Sequence, residues 1–366
     1  MRLRRSGGAA LVVLALVTAG CSDDDGGEQG STGGGTELPE GAVASQGRAD
    51  DGDAAYAGPG DYAVGLTTLP LADRSVEVLY PAAEATGTPA EVPGLQPGTE
   101  VFRDAPVARG RFPVLLYSHG FAGFPLVSSN LQAGIASWGF VVAAPDHIER
   151  NTAALGRGDA RSDPARDVQT MEEALAGLVA ADRGDGVLAG AIDRSRVGSA
   201  GHSAGGGTAL NALRLPEVTA AVTWAGVAPT DEPLPGEPVL VLGAEADIAV
   251  TGDEQREVYE ALRTPKRLVQ LDGGTGHATF LDGCPGARQE VIDSGQPRDQ
   301  ASGIVALAYD GCDADDADPL EAWKVIQHFT VAHLRVSLAV DEDPVGLGDA
   351  VLDDLPDIPV RYEHQP

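Results

Sequence analysis

Ser203 lies in Gly201-His202-Ser203-Ala204-Gly205, a G-x-S-x-G pentapeptide between residues that read as a strand, 196–200, and as a helix, 204–213. In that setting the serine hydroxyl is lifted off the end of a sheet as a nucleophile. The turn is too sharp for a Cβ on either side, which gives the flanking glycines a physical reason. The helix that follows points its N-terminus at the same place and favours negative charge there. A hydroxyl is a weak nucleophile until a base accepts its proton. When the serine sits in such a strand–turn–helix, the acid and then the histidine follow it in the chain. His119, His147 and His202 come before Ser203, His328 and His333 fall inside the last expected helix, and His364 lies near the C-terminus. His277 is left, in the loop Gly273-Gly274-Thr275-Gly276-His277 after a strand, where it is either the base or an ordinary surface histidine. Asp247 follows the apolar run Val239-Leu240-Val241-Leu242 and is the expected acid, with Glu245 a near rival and Asp272 a distant one. Such a set performs acyl transfer: the serine attacks a carbonyl, the histidine moves the proton and the acid fixes the imidazole tautomer.

The oxyanion formed in that attack needs two N–H donors. One is expected from Ala204, directly after the nucleophile. The other is expected from Phe121, in the loop His119-Gly120-Phe121-Ala122-Gly123. The Phe121 ring either walls an acyl pocket or packs in the core. Trp224, at the end of another strand, either looks into the site or fills the core. No metal or organic cofactor is expected.

These residues need a frame, and the hydrophobic pattern supplies one. Residues 62–69 and 75–80 read as an antiparallel pair, and 81–110, rich in Pro and Gly, as loop. Val114-Leu115-Leu116-Tyr117 and 140–144 are short continuous apolar runs, the mark of strands buried on both faces. Ser128 or Ser129 is placed to cap a helix running to Trp138, with Gly139 as its stop. Asp163-Pro164 opens a second helix, with Val168, Met171, Leu175 and Leu178 as its buried stripe. Strands at 220–224, 239–242 and 267–271, a helix at 253–262, and a last helix opened by Asp318-Pro319 with Leu320, Trp323 and Ile326 buried complete the pattern. Alternating strand and helix means an α/β domain with a mostly parallel sheet and helices on both faces. Only a short Pro-rich link, 225–237, separates two strands where a lid would be inserted, so the site is expected to be open. The polar segment 146–162 is the candidate specificity loop.

The chain ends suggest where the domain works. Arg2, Arg4 and Arg5, an apolar run from Ala9 to Val17, and Thr18-Ala19-Gly20-Cys21 make an export signal over 1–20, too short to span a bilayer. Residues 21–57 carry almost no large apolar side chain and read as a flexible tether with a reach of roughly 35 Å. A catalytic domain over 58–340 and a tail over 341–366 follow. The net charge of −30 repels nucleic acid and anionic headgroups. Neutral or cationic partners are favoured, an ester substrate and no nucleic acid are expected, and the expected state is a monomer. In an oxidising compartment Cys284 and Cys312 are expected to pair, worth about 3 kcal/mol, the rival being two free thiols. Asp310, Asp313, Asp315, Asp316 and Asp318 read as a solvated acidic loop, since the Gly and terminal Glu of a calcium loop are missing.

Taken in order, these pieces resemble the α/β-hydrolase superfamily over roughly Tyr62 to Leu334. Tyr117-Ser118-His119-Gly120-Phe121, Trp138 through His147, Gly201 through Gly207 and Pro238 through Asp247 are similar to a group containing cutinase-like polyester hydrolases, chlorophyllase and dienelactone hydrolase relatives, and platelet-activating-factor acetylhydrolases. The resemblance implies a serine esterase without a large lid, acting on bulky, lipid or polymeric carboxylic esters. A phospholipase of the acetylhydrolase type is the alternative, and a surface-tethered binding protein on the same fold is the alternative of another class. Thr18 to Cys21 resembles a bacterial lipobox, which implies lipid on Cys21 at the outer side of the cell membrane. The segment 283–318, with its two cysteines, departs from the group.

Overall fold

The computed structural model describes residues 54–229, 233–294 and 303–366. The export signal, Cys21 and the tether as far as residue 53 lie outside these residues. The strands are β1 (Ala63–Pro70), β2 (Ser75–Ala82), β3 (Thr88–Pro89), β4 (Val101–Arg103), β5 (Phe112–Ser118), β6 (Val141–Pro145), β7 (Ile192–His202), β8 (Val218–Trp224), β9 (Val239–Ala244), β10 (Lys266–Leu271) and β11 (Val360–Gln365). They form one sheet in the order β11-β10-β9-β8-β7-β5-β6-β2-β1-β4-β3. From β6 through β5, β7, β8 and β9 to β10 every pairing is parallel. β2 pairs antiparallel with β1 and β6, and β11 closes the far edge antiparallel to β10.

The helices are α1 (Ser129–Ser137), α2 (Thr152–Arg157), α3 (Pro164–Asp182), α4 (Ala204–Ala212), α5 (Gly252–Ala261), α6 (Cys284–Ser294), α7 (Ile304–Tyr309) and α8 (Pro319–Ser337). The apolar run of β5 splits between two cores, as a strand of period two requires. Leu115 and Tyr117 join Leu131 and Ile135 of α1 and Ile326 and Phe329 of α8. Val114 and Leu116 join Met171 and Leu178 of α3, Leu210 of α4 and Val258 of α5. The chain leaves β5 toward β6 on one side and pairs it with β7 on the other, so a crevice opens at the carboxyl ends of β5 and β7.

Several expectations change. Leu320 is 40% exposed, while Trp323 and Ile326 of the same helix are buried. Ser128 makes no side-chain cap bond to α1. The cap is Asp282, distant in sequence, whose carboxylate accepts the N–H groups of Ser129 and Asn130 at 2.6 and 3.2 Å. The stretch 81–110 contributes β3 and β4, and the C-terminal residues add β11 rather than trailing as a tail. Tyr56, within the expected tether, is fully buried: its ring meets Trp138 edge-on at 4.9 Å and its hydroxyl donates to Asp341 at 2.7 Å. The described residues of the link between β8 and β9 form no helix.

Candidate active site

β7 ends at His202 and α4 begins at Ala204, leaving one residue for the turn. Ser203 takes it at φ 57° and ψ −122°, a strained conformation for a residue with a Cβ. Three backbone bonds hold it there. Its N–H donates to Trp224 O at 2.9 Å, and its carbonyl accepts from Gly206 at 2.9 Å and Val227 at 3.1 Å. A Cβ on Gly201 would lie 2.1 Å from Gly205 O, and one on Gly205 would lie 1.9 Å from Ser118 O. Both glycines are therefore obligatory, for the reason read from the sequence.

The loop after β5 approaches the same point, with the position of a Cβ on Gly120 only 3.2 Å from the Ser203 Cβ. It is hung on a residue that the sequence did not single out. Arg150, 1% exposed, donates to His119 O at 2.7 Å and Ser118 Oγ at 2.8 Å, and its own carbonyl accepts from Ala122 N at 2.7 Å. Asp167 of α3 partners the guanidinium at 2.5 Å. His147 N donates to His119 Nε2 at 3.1 Å, so His119 Nδ1 carries the proton it donates to Gly120 O at 2.8 Å. Burial first, then the Arg150 charge, holds the imidazole of His147 well below its ordinary range. The segment 146–162, expected as a specificity loop, is thus an anchor at its start: His147 and Arg150 are fully buried. Phe121 stands 38% exposed at the rim, outside the core. Ala204 occupies the first position of α4.

Asp247 lies three residues beyond β9 and is almost wholly buried. One carboxylate oxygen accepts from Ala249 and Val250 at 2.7 and 2.8 Å. The other accepts from His277 Nδ1 at 2.9 Å. The rivals Glu245 and Asp272 are both exposed. His277 opens a 3₁₀ turn, His277–Phe280, just past β10. Its backbone is held at both ends. The N–H donates to Asp310 at 2.6 Å, and the carbonyl accepts from His202 Nε2 at 3.0 Å. The two imidazole rings lie 4.6 Å apart, which brings His277 beside the residue preceding Ser203. Burial, then the neighbouring His277, keeps His202 well below the usual histidine range, so it stays a neutral donor.

Trp224 is not a pocket residue. It is fully buried, tilted against Tyr117 at 5.5 Å, with its indole N–H donating to Thr330 at 3.1 Å. Strand-end position alone could not tell the two faces of β8 apart. Cys284 and Cys312 are bonded, with Cα atoms 5.4 Å apart. The acidic segment is not simply solvated: Asp310 is half-buried and accepts from both His277 N and Ile248 N. Among the described residues no group of three or more His, Cys, Asp or Glu side chains is placed to hold a metal ion.

The family model for Chlorophyllase matches residues 88–236, which include Phe121 and Ser203. The platelet-activating factor acetylhydrolase of Cavia porcellus is 28% identical over 147 residues, 30% of this chain and 34% of that one. Cutinase 1 of Thermobifida cellulosilytica is 28% identical over 186 residues, 47% of this chain and 63% of that one. The chain thus spans less than two thirds of the length of either relative. A ferulic acid esterase structure from Streptomyces cinnamoneus superposes with a TM-score of 0.60 at 21% identity, covering 84% of this chain and 98% of that one. The fold is that of the α/β-hydrolases.

Proposed function

We propose that the chain is a carboxylic ester hydrolase that works through an acyl-enzyme on Ser203, with His277 as base and Asp247 as its orienting acid. The observation that carries this reading is a serine held at φ 57° between two glycines that admit no Cβ, with a buried His277–Asp247 pair whose imidazole lies 4.6 Å from the ring of His202, the residue before it. His277 Nε2 takes the proton of Ser203 Oγ as that oxygen bonds to the ester carbonyl carbon. The N–H groups of Phe121 and Ala204 receive the oxyanion. The C–O bond to the alcohol breaks, and the alcohol leaves with the proton from His277. Water, deprotonated by the same imidazole, then releases the acid and returns Ser203.

The substrate class is bulky, lipid or polymeric. Phe121, Val227 and Ile248, each 38% exposed or more, sit on loops next to Gly120, against the Ser203 carbonyl and next to Asp247, and give the site apolar surface. A groove of about 590 Å³, lined by Val227, Leu234, Val250, Val258 and Leu262 among others, includes none of Ser203, Asp247, His277 and Phe121 in its lining and is not assigned to the substrate. The matching acetylhydrolase supports a phospholipid as second candidate, against which the net charge of −30 argues where the headgroup is anionic. The disulfide supports export to an oxidising compartment; lipid on Cys21 is supported by the likeness of Thr18 to Cys21 to a lipobox.

The test is a panel of nitrophenyl esters of graded chain length, a phospholipid and a polyester film, run with wild type and Ser203→Ala. The variant is expected to lose on the order of 10⁴–10⁶ in kcat. Equal turnover by both proteins ends the reading. A serine-directed phosphonate that fails to label Ser203 would instead favour a binding protein.

A further inference from the structure

We propose that Asp310 is a positioning residue for the His277–Asp247 pair, and that the Cys284–Cys312 disulfide holds it in place. The proposal rests on the catalytic reading of that pair. One carboxylate oxygen of Asp310 accepts two N–H groups: that of His277 at 2.6 Å and that of Ile248, the residue after Asp247, at 3.1 Å. A single side chain from elsewhere thus ties the base loop to the acid loop. The Asp310 carbonyl adds a third tie, accepting from Ala278 N at 2.9 Å.

The segment that carries Asp310 is built to stay put. Cys312 is two residues on, bonded to Cys284 at the start of α6. The two cysteines pack with Ala278, inside the 3₁₀ turn that His277 opens. Gly276 and Gly311 meet backbone to backbone: a Cβ on Gly311, which sits at φ 80°, would lie 2.0 Å from Gly276 N. Ala317 N donates to Gly273 O at 2.8 Å, and Arg288 of α6 donates to the carbonyls of Asp313 and Asp316. The whole of 310–317 therefore lies along the loop 273–279 and fixes its height above the sheet.

Three ionisable groups face His277: Asp247 from the loop after β9, His202 from the end of β7 and Asp310 from the segment before α8. His202 stays neutral. Asp247 holds the ring at Nδ1, and Asp310 holds the peptide N–H of the same residue.

The experiment is ester kinetics on the full chain, with kcat and KM read separately. Asp310→Asn keeps an oxygen for both N–H groups, and as the conservative variant it is expected to hold kcat within about threefold of wild type. Asp310→Ala removes that oxygen, and its kcat is expected to fall about 10- to 100-fold with KM changed less than about threefold. Cys284→Ala/Cys312→Ala, which leaves Asp310 in the chain but frees its segment, is expected to lose kcat in the same direction. Unchanged kcat in Asp310→Ala, or a loss in Asp310→Asn as large as in Asp310→Ala, would overturn the proposal, whatever either variant does to Tm. Unchanged kcat in the double cysteine variant would overturn the part given to the disulfide. Failure of the hydrolase reading looks different: wild type then neither turns over esters nor takes the phosphonate.

Discussion

A methyl group on Gly205 would sit 1.9 Å from Ser118 O and 2.8 Å from His119 O. Neither oxygen can retreat, because Ser118 is paired in the sheet with Gly201 and His119 O is bound by Arg150. Gly205→Ala is therefore expected to destabilise by about 3 kcal/mol or more, read as a lower midpoint in urea unfolding. Gly156, in α2, has nothing within 4 Å of a Cβ. Gly156→Ala is expected to gain about 0.5–1 kcal/mol in the same measurement, through lost freedom of the unfolded chain. A single substitution type with opposite signs at two sites separates steric need from helix propensity. At this scale the sequence offered candidates where chemistry leaves a local signature: Ser203 between its glycines, and Asp247 and His277, which the structure pairs, after their strands. It did not single out Arg150, set His202 aside as a base, and read Asp310 only as part of a solvated acidic loop. Each of these acts on backbone groups distant in the chain, and nothing in their own neighbourhood announces such a partner.

The elements tell the same story with a longer reach. The central strands and α3, α4, α5 and α8 were readable because each carries an apolar run or stripe with its own start and stop. The cap of α1 was not, because its carboxylate comes from Asp282, beyond the 3₁₀ turn of His277. The loop between β5 and α1 is the sharper case. Ala122 sits at φ 61°, a left-handed value that costs a residue with a Cβ about 1–2 kcal/mol, and the bond from its N–H to Arg150 O helps to offset that. Arg150→Met is expected to lower stability by about 3–5 kcal/mol, since Asp167 stays buried without its cation. It should also lower kcat by about 100-fold as the Phe121 N–H loses its aim. The double variant Arg150→Met/Asp167→Leu removes the orphaned charge and should regain most of the stability in urea unfolding while the rate stays low. Recovery of both together would mean that the loop does not depend on Arg150 for its position.

For the molecule as a whole, acid is the informative stress. Four histidines, His119, His147, His202 and His333, are buried and held below their ordinary range, each chiefly by desolvation. His333, in α8 against the sheet, is pushed down to about 3 by burial and then by Arg267, whose guanidinium donates to its Nδ1 at 3.1 Å. The unfolded chain protonates such a group near 6.5, the native protein only near 3, so between those values the unfolded state binds one proton more. Stability from this group is complete above about pH 6.5 and is lost as pH falls, at about 1.4 kcal/mol per pH unit. Asp282 has the opposite sign. Burial raises it to about 6 against its four hydrogen bonds, so it binds its proton earlier when folded and offsets part of the loss below that pH. A comparison that leaves Asp282 untouched isolates the histidine. His333→Leu keeps an apolar side chain in the same place and frees one Arg267 donor, so its stability at pH 7 is expected to be lower than wild type. Its dependence on pH between about 4 and 6 should nevertheless be shallower by about 1.4 kcal/mol per unit, measured as unfolding free energy from urea curves at stepped pH. Equal slopes in the two proteins would mean that His333 takes up its proton inside the folded sheet, and that its burial is not what makes the fold sensitive to acid.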